Sequence, residues 1–275
     1  MSQTATERPY RVDDAWANAT HARRTAEFVT LFTPRLKPGM RLLDCGCGPG
    51  TITVGFAQRV APGDVVGIDI RPNVVEQARG LAAERGIANV TFDVGSVYQL
   101  PYPDAAFDAA FASALLQHLD SPVDALKEMR RVLKPGGVAG IADGSSPLRF
   151  RFPTNALLEK YDSLRSGTRE RDSRPTIALR LRALLREAGF TRTEATGGMA
   201  TESSPPAGSI EETRRVAETH VIALRGTLGQ EALAQGRLTA SELEEMAAAL
   251  TAWGEHPDAF YARPVFHALG WNESP

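Results

Sequence analysis

The first half of the chain alternates between short apolar runs and segments in which apolar residues recur every three or four positions. Short apolar runs predict buried strands, and the longer spacing predicts helices with one apolar face. The predicted strands cover residues 41–44, 65–70, 90–94, 107–112 and 138–142, and the predicted helices cover residues 13–32, 52–60, 72–85 and 121–133. Strands that alternate with helices indicate a parallel sheet with right-handed crossovers over about residues 36–145.

The pattern is less regular after residue 145. Residues 146–175 carry many arginines and few apolar residues, which predicts a mobile loop or short helices. Helices are predicted at 177–188, 211–224 and 241–253, and strands at 191–201 and 259–269. Ser121 and the pair Ser241 and Glu244 are expected to cap helices. These elements predict an α/β fold with one doubly wound, Rossmann-like sheet of seven mostly parallel strands.

Composition and charge narrow the class of protein. Of the 275 residues, 43% are hydrophobic and 23% are charged, as in an ordinary globular protein. The 31 basic and 33 acidic residues leave a net charge of −2, which gives no general attraction to nucleic acid. Residues 1–10 lack an apolar signal segment, and no apolar run is long enough to span a membrane. We therefore expect a cytoplasmic protein with neither a nucleic-acid nor a membrane partner.

A glycine-rich turn, DCGCGPG at residues 44–50, joins the first predicted strand to a helix. Glycines there allow a ligand to approach the backbone at the N-terminus of a helix. A dinucleotide fingerprint would place a third glycine at position 51, which is threonine. Asp44 would also repel a pyrophosphate. Cys45 and Cys47 lack the further ligands that a zinc site needs, so no metal is expected.

A second acid, Asp69, ends the second predicted strand, 21 residues after Gly48. A carboxylate at that place accepts hydrogen bonds from a ribose diol. Together with Asp44, it predicts an adenosine that carries a cationic amino-acid tail, as S-adenosylmethionine does. The alternatives are a purely structural turn and a nicotinamide dehydrogenase.

Four further segments share a family resemblance with the turn. LLDCGCGPGT (42–51) resembles motif I of the class I S-adenosylmethionine-dependent methyltransferases, of the ubiquinone/menaquinone-biosynthesis-like and small-molecule group. VGID (66–69), GSVYQLPYPD (95–104), the pair Phe107-Asp108 and RVLKPGG (131–137) are similar to later motifs of that family.

The resemblance implies roles for individual residues. Gly46 and Gly48 would line the methionine part of the cofactor beside Asp44, and Asp69 would hold the ribose. The adenine would lie between Ile70 and Val97, with Ser96 accepting a hydrogen bond from its amino group where many relatives have aspartate. Ser113 would lie under the sulfonium.

The resemblance also implies a lid and a cap around this site. It divides the chain into N-terminal lid helices (1–35), a cofactor-binding core (36–201), a helical cap (202–258) and a returning last strand (259–275). In the lid, Tyr10 and Trp16 would pack over the methionine chain and Arg23 or Arg24 would meet its carboxylate, unless the helix is simply amphipathic.

Two residues are candidates for the chemistry on the acceptor side. His118 follows the fourth strand and Asp143 ends the fifth, so both should lie at the carboxyl edge of the sheet. Sugar O-methyltransferases of the family carry a base histidine and an aspartate in similar places, although the first histidine of their pair is Gln117 here. We expect His118 to take the proton of the acceptor and Asp143 to orient it. The alternative is that His118 only forms a wall of the cofactor site.

Three features of the C-terminal half allow more than one interpretation. The basic stretch from Arg149 to Arg180 is either an anion site or, as we expect, a solvated loop. His220 and His256 are expected at the surface. The late aromatic residues are either core or an apolar acceptor pocket: Trp253, Phe260, Tyr261, Phe266 and Trp271.

The sequence therefore predicts methyl transfer to a small-molecule acceptor of secondary metabolism. The alternative is a related enzyme, such as a cyclase, that binds S-adenosylmethionine without transferring its methyl group. A homodimer remains open.

Overall fold

A computed structural model describes Ala26 and residues 29–144, 149–170, 177–201 and 210–273. Within these residues the fold is a central sheet with helices on both faces. The strands are β1 (Leu42–Cys45), β2 (Val65–Asp69), β3 (Val90–Val94), β4 (Phe107–Ser113), β5 (Leu133–Gly144), β6 (Phe150–Phe152), β7 (Arg192–Thr201) and β8 (Phe260–Trp271).

The eight helices of the described residues connect these strands. They are α1 (Thr51–Val60), α2 (Pro72–Glu84), α3 (Pro122–Val132), α4 (Ala156–Glu170), α5 (Ile177–Glu187), α6 (Ile210–Arg225), α7 (Thr227–Ala234) and α8 (Ala240–Gly254). Short 3-10 turns lie at Thr33–Arg35 and Leu116–His118. The predicted alternation of strands and helices is confirmed from residue 42 to residue 144, whereas most of the helix predicted at 13–32 lies outside the described residues.

The sheet order is β3-β2-β1-β4-β5-β8, and the first five of these strands are parallel. β8 is antiparallel and lies between β5 and β7, which pair with its two edges. The short strand β6 pairs with the beginning of β8 on the edge that β5 occupies further along. The described sheet therefore has eight strands rather than the seven predicted, because β6 extends β5 beyond its carboxyl end.

The parallel strands are buried on both faces. Leu42 packs on the face that α1 covers, and its neighbour Leu43 packs on the opposite face, against α3 and α5. This follows from the alternation of side chains along a strand. The continuous apolar runs of the sequence therefore mark strands between two layers of helices.

Three phenylalanines hold the segment before β1 against the sheet. The ring of Phe32 stacks on Phe111 of β4 with 5.1 Å between centroids, and it meets Phe56 of α1 edge-on at 5.6 Å. Phe32 lies so close to β5 that a β-carbon on Gly140 would stand 2.3–2.9 Å from three atoms of its ring. Gly140 therefore leaves the space that this aromatic cluster needs.

We expect Gly140→Ala to destabilise the protein by about 1–3 kcal/mol, because an added methyl group overpacks a closed core. The melting temperature should fall by several degrees. Gly80 on α2 is the matched control, since a β-carbon there meets nothing within 4 Å. Gly80→Ala should raise stability by about 0.5–1 kcal/mol, because alanine favours a helix. Urea unfolding of both variants measures the two effects, and equal changes would contradict the packing argument.

The segment after β5 differs from the sequence prediction. Residues 156–170 form the long helix α4 instead of a loop or short helices. Arg149 and Arg151 are not solvated, since their side chains are only 6% and 2% exposed. The Arg151 guanidinium donates to both carboxylate oxygens of Asp162 at 3.1 and 3.2 Å and lies 4.6 Å from the ring centroid of Trp253. Its charge is therefore buried together with a partner, which the spacing of apolar residues cannot show.

Helices α4, α6, α7 and α8 share one apolar core with Tyr261 of β8. His220, expected at the surface, is buried in it, where its Nδ1 atom lies 3.0 Å from Nη2 of Arg151. Trp253 and Tyr261 belong to this core as well, whereas Phe260 is 39% exposed. Helix α4 thus packs with the three helices of the range 202–258, although the sequence groups it with residues 36–201.

One predicted helix cap is wrong, and the other is confirmed in its position but not in its side-chain hydrogen bond. The capping box of α8 is formed by Thr239 and Glu242, two residues before the predicted pair Ser241 and Glu244. Ser121 occupies the N-cap position of α3, but its side chain makes no capping hydrogen bond within the described helix. The backbone N–H of Ser121 instead donates to the Tyr98 hydroxyl at 3.0 Å.

Candidate active site at the carboxyl edge of the sheet

The glycine turn leaves β1 at the carboxyl edge of the sheet and leads into α1. Gly46 and Gly48 have φ values of +69° and +56°, which favour glycine over residues with a side chain. The N–H groups of Gly46 and Cys47 both donate to the carbonyl of Ile68, at 2.7 and 3.1 Å. A β-carbon on Gly46 would stand 3.0 Å from Leu115, so the backbone and Leu115 are in close contact. The turn is therefore tied to both β2 and the segment after β4.

Asp44, at the end of this strand, is buried at 3% exposure, and its Oδ2 atom accepts a hydrogen bond of 2.6 Å from the Thr53 hydroxyl of α1. Burial raises the pKa of Asp44 to about 7, since the charged form loses its hydration, and Asp69 raises it further while Thr53 lowers it. The folded protein therefore binds a proton on Asp44 at pH values where the unfolded chain does not.

This pKa predicts a pH dependence of stability. A carboxyl group whose pKa is raised on folding contributes full stability below its unfolded pKa and loses it as pH rises towards the folded pKa. Between about pH 4 and pH 7, wild type should lose on the order of 4 kcal/mol through Asp44. Asp44→Asn should remove this loss, and Thr53→Val should increase it. Urea unfolding at several pH values measures the effect, and parallel curves for wild type and Asp44→Asn would contradict it.

Asp69 ends β2 with 7% exposure, and both of its carboxylate oxygens are engaged. Oδ2 accepts from the Gly48 N–H at 3.1 Å, and Oδ1 accepts from the N–H and Nε of Arg71 at 3.1 and 3.2 Å. One carboxylate thus connects the glycine turn to the start of α2. Oδ2 also meets Nη2 of Arg71 at 3.5 Å, so the Arg71 side chain reaches both oxygens. A ribose hydroxyl would therefore bind here by replacing a contact of Arg71.

The residues expected around an adenine follow β2 and β3. Ile70 is 48% exposed next to Asp69, and Val97 is buried at 6%. The Ser96 hydroxyl accepts from the Tyr98 N–H at 3.1 Å, which fixes the turn that carries both Ser96 and Val97. Ser96 and Val97 therefore lie in one turn whose geometry this hydrogen bond fixes.

The end of β4 contains a strained position that the sequence does not indicate. Ala114 has a φ of +52°, a conformation that costs a residue with a side chain about 1–3 kcal/mol. Its N–H donates to the carbonyl of Ala142 at 2.8 Å. The strained backbone turns Leu115 towards the glycine turn and places His118 in the 3-10 turn that follows. Ser113, just before it, pairs with Ala142 in the sheet.

Asp143 lies one residue after Ala142 on β5 and is buried at 2% exposure, with Oδ1 accepting the N–H of Gly144 at 2.9 Å. The sequence does not indicate that Arg263 of β8 is a neighbour of Gly144, the residue after Asp143. Its Nη1 atom lies 2.6 Å from the place of a β-carbon on Gly144. Only the pairing of a distant strand brings this arginine to the site.

The structure thus brings Asp44, Gly46, Gly48 and Asp69 together, with Ser113, His118 and Asp143 along the ends of β4 and β5. Tyr10, Trp16, Arg23 and Arg24 lie outside the described residues.

The thiols of Cys45 and Cys47 are buried, and burial raises the pKa of both groups well above the usual range. Among the described residues, no group of three histidine, cysteine or acidic side chains could hold a metal ion.

The residues at this edge fit S-adenosylmethionine. Gly46 and Gly48 lack β-carbons in a turn between a strand and a helix, where a close ligand requires small residues. Asp69 can accept a ribose hydroxyl in place of a contact of Arg71, and the carboxylate of Asp44 suits a cation. A parallel Rossmann-like sheet with these features defines an enzyme that binds a nucleotide-like cofactor at the carboxyl ends of its strands.

Comparison with known proteins identifies the family. Residues 36–170 match a family described as a methyltransferase domain. The chain is 31% identical to a probable methyltransferase, ltbC, of Aspergillus luteorubrus over 268 residues, 90% of this chain and 91% of that one. It is 32% identical to the demethylmenaquinone methyltransferase of Geobacillus kaustophilus over 58% of this chain and 74% of that one. The crystal structure of the [4+2]-cyclase SpnF is 27% identical with a TM-score of 0.51, covering 89% of this chain and 84% of that one.

The chain belongs to the class I S-adenosylmethionine-dependent methyltransferases. Its cofactor is S-adenosylmethionine, and its activity is methyl transfer. None of the helices in the described residues is long and apolar enough to cross a membrane.

Proposed function

We propose that the protein methylates a small-molecule acceptor that binds at the carboxyl ends of β4 and β5, beneath the helical cap. The observation that carries this proposal is the junction of the glycine turn with Asp69 through the Gly48 N–H, at 3.1 Å. It gives a cofactor site at one end of the carboxyl edge, and it leaves His118 and Asp143 for the acceptor side.

The cofactor-binding roles proposed from the sequence are compatible with this geometry. Gly46, Gly48 and Asp44 face the methionine part, and Asp69 accepts the ribose hydroxyls. Ile70 and Val97 enclose the adenine, and Ser96 accepts from its amino group. Ser113 lies nearest the sulfonium. Tyr10, outside the described residues, stays a candidate from the sequence for contact with the methionine part.

S-adenosylmethionine supplies an activated methyl group on a sulfonium, so the protein mainly has to align the acceptor and accept a proton from it. His118 takes that proton, and Asp143 orients the acceptor or the histidine. Two observations support this assignment. His118 follows β4 and Asp143 lies near the end of the neighbouring parallel strand β5. The Ala114 N–H to Ala142 carbonyl bond holds these two strand ends together.

The lid (1–35), the core (36–201), the cap (202–258) and the last strand (259–275) are proposed as functional units around this site. The proposed reaction belongs to cytoplasmic secondary metabolism. A homodimer is to be tested by light scattering.

Calorimetric titration with S-adenosylmethionine, S-adenosylhomocysteine and NAD tests the proposed site. Binding of both adenosyl ligands without binding of NAD supports it and justifies a screen of small-molecule acceptors. If neither adenosyl ligand binds, the proposed site is wrong.

The second candidate is a cyclase that retains its cofactor, favoured by the 27% identity to SpnF over 89% of this chain. The two functions differ in the fate of the methyl group. Incubation with methyl-labelled S-adenosylmethionine and the acceptor panel should move the label into a product if the protein is a methyltransferase acting on such acceptors. Conversion of an acceptor with all the label left on the cofactor would favour the cyclase.

A further inference from the structure

The loop between β3 and β4, residues 95–106, carries Ser96 and Val97 but has little regular structure of its own. Its internal backbone hydrogen bond, from the Gln99 N–H to the Ser96 carbonyl, is long at 3.3 Å. The geometry of this loop must therefore come from other elements. The Tyr102 hydroxyl donates to Asp93 of β3 at 2.8 Å, and helix α3 supplies the other contacts described below.

One arginine of α3 holds three successive points of the loop. Arg131 donates from Nη2 to the Leu100 carbonyl at 3.0 Å, and from Nη1 to the Tyr102 carbonyl at 2.9 Å and the Asp104 carboxylate at 2.8 Å. These bonds point in the directions of a planar guanidinium, which a lysine cannot reproduce.

Glu128, one turn earlier on α3, fixes the arginine itself. Its two oxygens accept from Nε and Nη2 of Arg131, both at 2.8 Å, and Oε2 also accepts the Leu100 N–H at 3.0 Å. The mutual hydrogen bonds raise the pKa of Arg131 and lower the pKa of Glu128, so the pair stays charged. Both backbone groups of Leu100 are thus held by one ion pair.

The other end of α3 holds the loop close to Ser96. The Tyr98 hydroxyl accepts the N–H of Ser121, and the Tyr98 N–H donates to the Ser96 hydroxyl. A chain of contacts therefore connects both ends of one helix to the residues proposed to bind adenine.

We propose that Arg131 is a positioning residue for adenine recognition: with Glu128 it fixes the Leu100 and Tyr102 carbonyls and so holds Ser96 and Val97 in their binding geometry. This role depends on the adenine site proposed above. In this proposal, the arginine of the RVLKPGG segment acts on cofactor selection through the loop rather than by direct contact.

The test compares three ligands in wild type and in the Arg131→Met and Arg131→Lys variants. S-adenosylhomocysteine carries the adenine amino group, S-inosylhomocysteine replaces it with a carbonyl oxygen, and S-ribosylhomocysteine lacks the base. We expect the Kd of S-adenosylhomocysteine to rise about tenfold in both variants, with its preference over S-inosylhomocysteine largely lost. The Kd of S-ribosylhomocysteine should stay within about twofold.

Two controls separate positioning from general stability. Arg215 forms an exposed ion pair with Glu211 one turn earlier on α6, so Arg215→Met removes a helix-surface pair far along the chain. It should leave all three affinities unchanged. If Arg131→Met fails to fold, Glu128→Gln provides the test. It keeps the shape of the partner of Arg131 without its charge and should repeat part of the Arg131 effect.

The outcomes distinguish the inference from the proposed function. If wild type itself does not prefer S-adenosylhomocysteine over S-inosylhomocysteine, the adenine site is wrong. If wild type discriminates and the folded Arg131 variants discriminate equally well, the positioning role is wrong while the adenine site stands. A uniform loss for all three ligands also overturns the role, because it indicates a general structural effect.

Discussion

Asp69→Ala is expected to weaken S-adenosylhomocysteine binding about 100-fold, which corresponds to about 2.7 kcal/mol. The substitution removes the acceptors for the ribose hydroxyls, and hydrogen bonds to a charged group are each worth about 1.5–3 kcal/mol. It also releases the Gly48 N–H, which Asp69 holds at 3.1 Å, and the Arg71 side chain. Calorimetric titration measures the change in Kd.

The matched control is Asp64→Ala. Asp64 is a 55% exposed acid between β1 and β2 whose carboxylate meets Arg41 at 3.1 Å. Its removal should leave the Kd unchanged. Asp69→Asn, which keeps one acceptor oxygen, should lose less affinity than Asp69→Ala. Unchanged binding by a folded Asp69→Ala variant would show that the ribose lies elsewhere.

His118→Ala is expected to lower kcat by about 10²–10⁴-fold with an acceptor whose proton must leave, because a positioned general base contributes a factor of that size. The KM for S-adenosylmethionine should change little. The acidic limb of the kcat/KM profile, where the base becomes protonated, should disappear in the variant. Steady-state kinetics over a range of pH measures both effects.

Gln117→Ala is the control in the same 3-10 turn, and it should retain most of the activity. For His118→Ala, a fall in cofactor affinity at unchanged kcat would make His118 a wall of the cofactor site rather than a base. Unchanged turnover and unchanged affinity would remove it from the site altogether.

The sequence predicts the parallel half of the fold well because its signals are local. Apolar runs, glycine turns and the proline at position 122 mark β1 to β5 and α1 to α3 within a few residues. The last strands at 191–201 and 259–269 are confirmed as β7 and β8, each shifted by at most two residues. Buried strands between helices show as continuous apolar runs wherever they occur.

The region formed by α4, α6, α7 and α8 was less predictable because its interior contains charged side chains. Arg151 and Asp162 are polar in the sequence and buried in the fold, so the pattern suggested solvent where α4 packs. The short helix α7 and the three-residue strand β6 were missed, since each carries too few residues for a periodic signal. The capping box of α8 was displaced because Ser241 and Thr239 are equally suitable caps by residue type.

Some residues of the candidate site could likewise be predicted from the sequence, and others could not. Gly46, Gly48 and Asp69 are visible in the sequence because their spacing is set by one strand, one turn and the next strand. Ala114 and Arg263 are not visible, since one depends on a backbone angle and the other on the return of β8 to the edge of β5. Arg131 belongs to the RVLKPGG segment that the sequence singles out, but its hydrogen bonds to Leu100 and Tyr102 appear only in the folded protein.

The position of β8 has a consequence for how the chain reaches this fold. β8 lies between β5 and β7 and also receives β6, yet it follows all three in the sequence. During synthesis, β5 and β7 therefore leave the ribosome before the strand that joins them, and each waits with an open edge. Open edges can pair with other chains and lead to aggregation. The interval before residues 260–271 emerge is thus when the nascent protein most needs a chaperone.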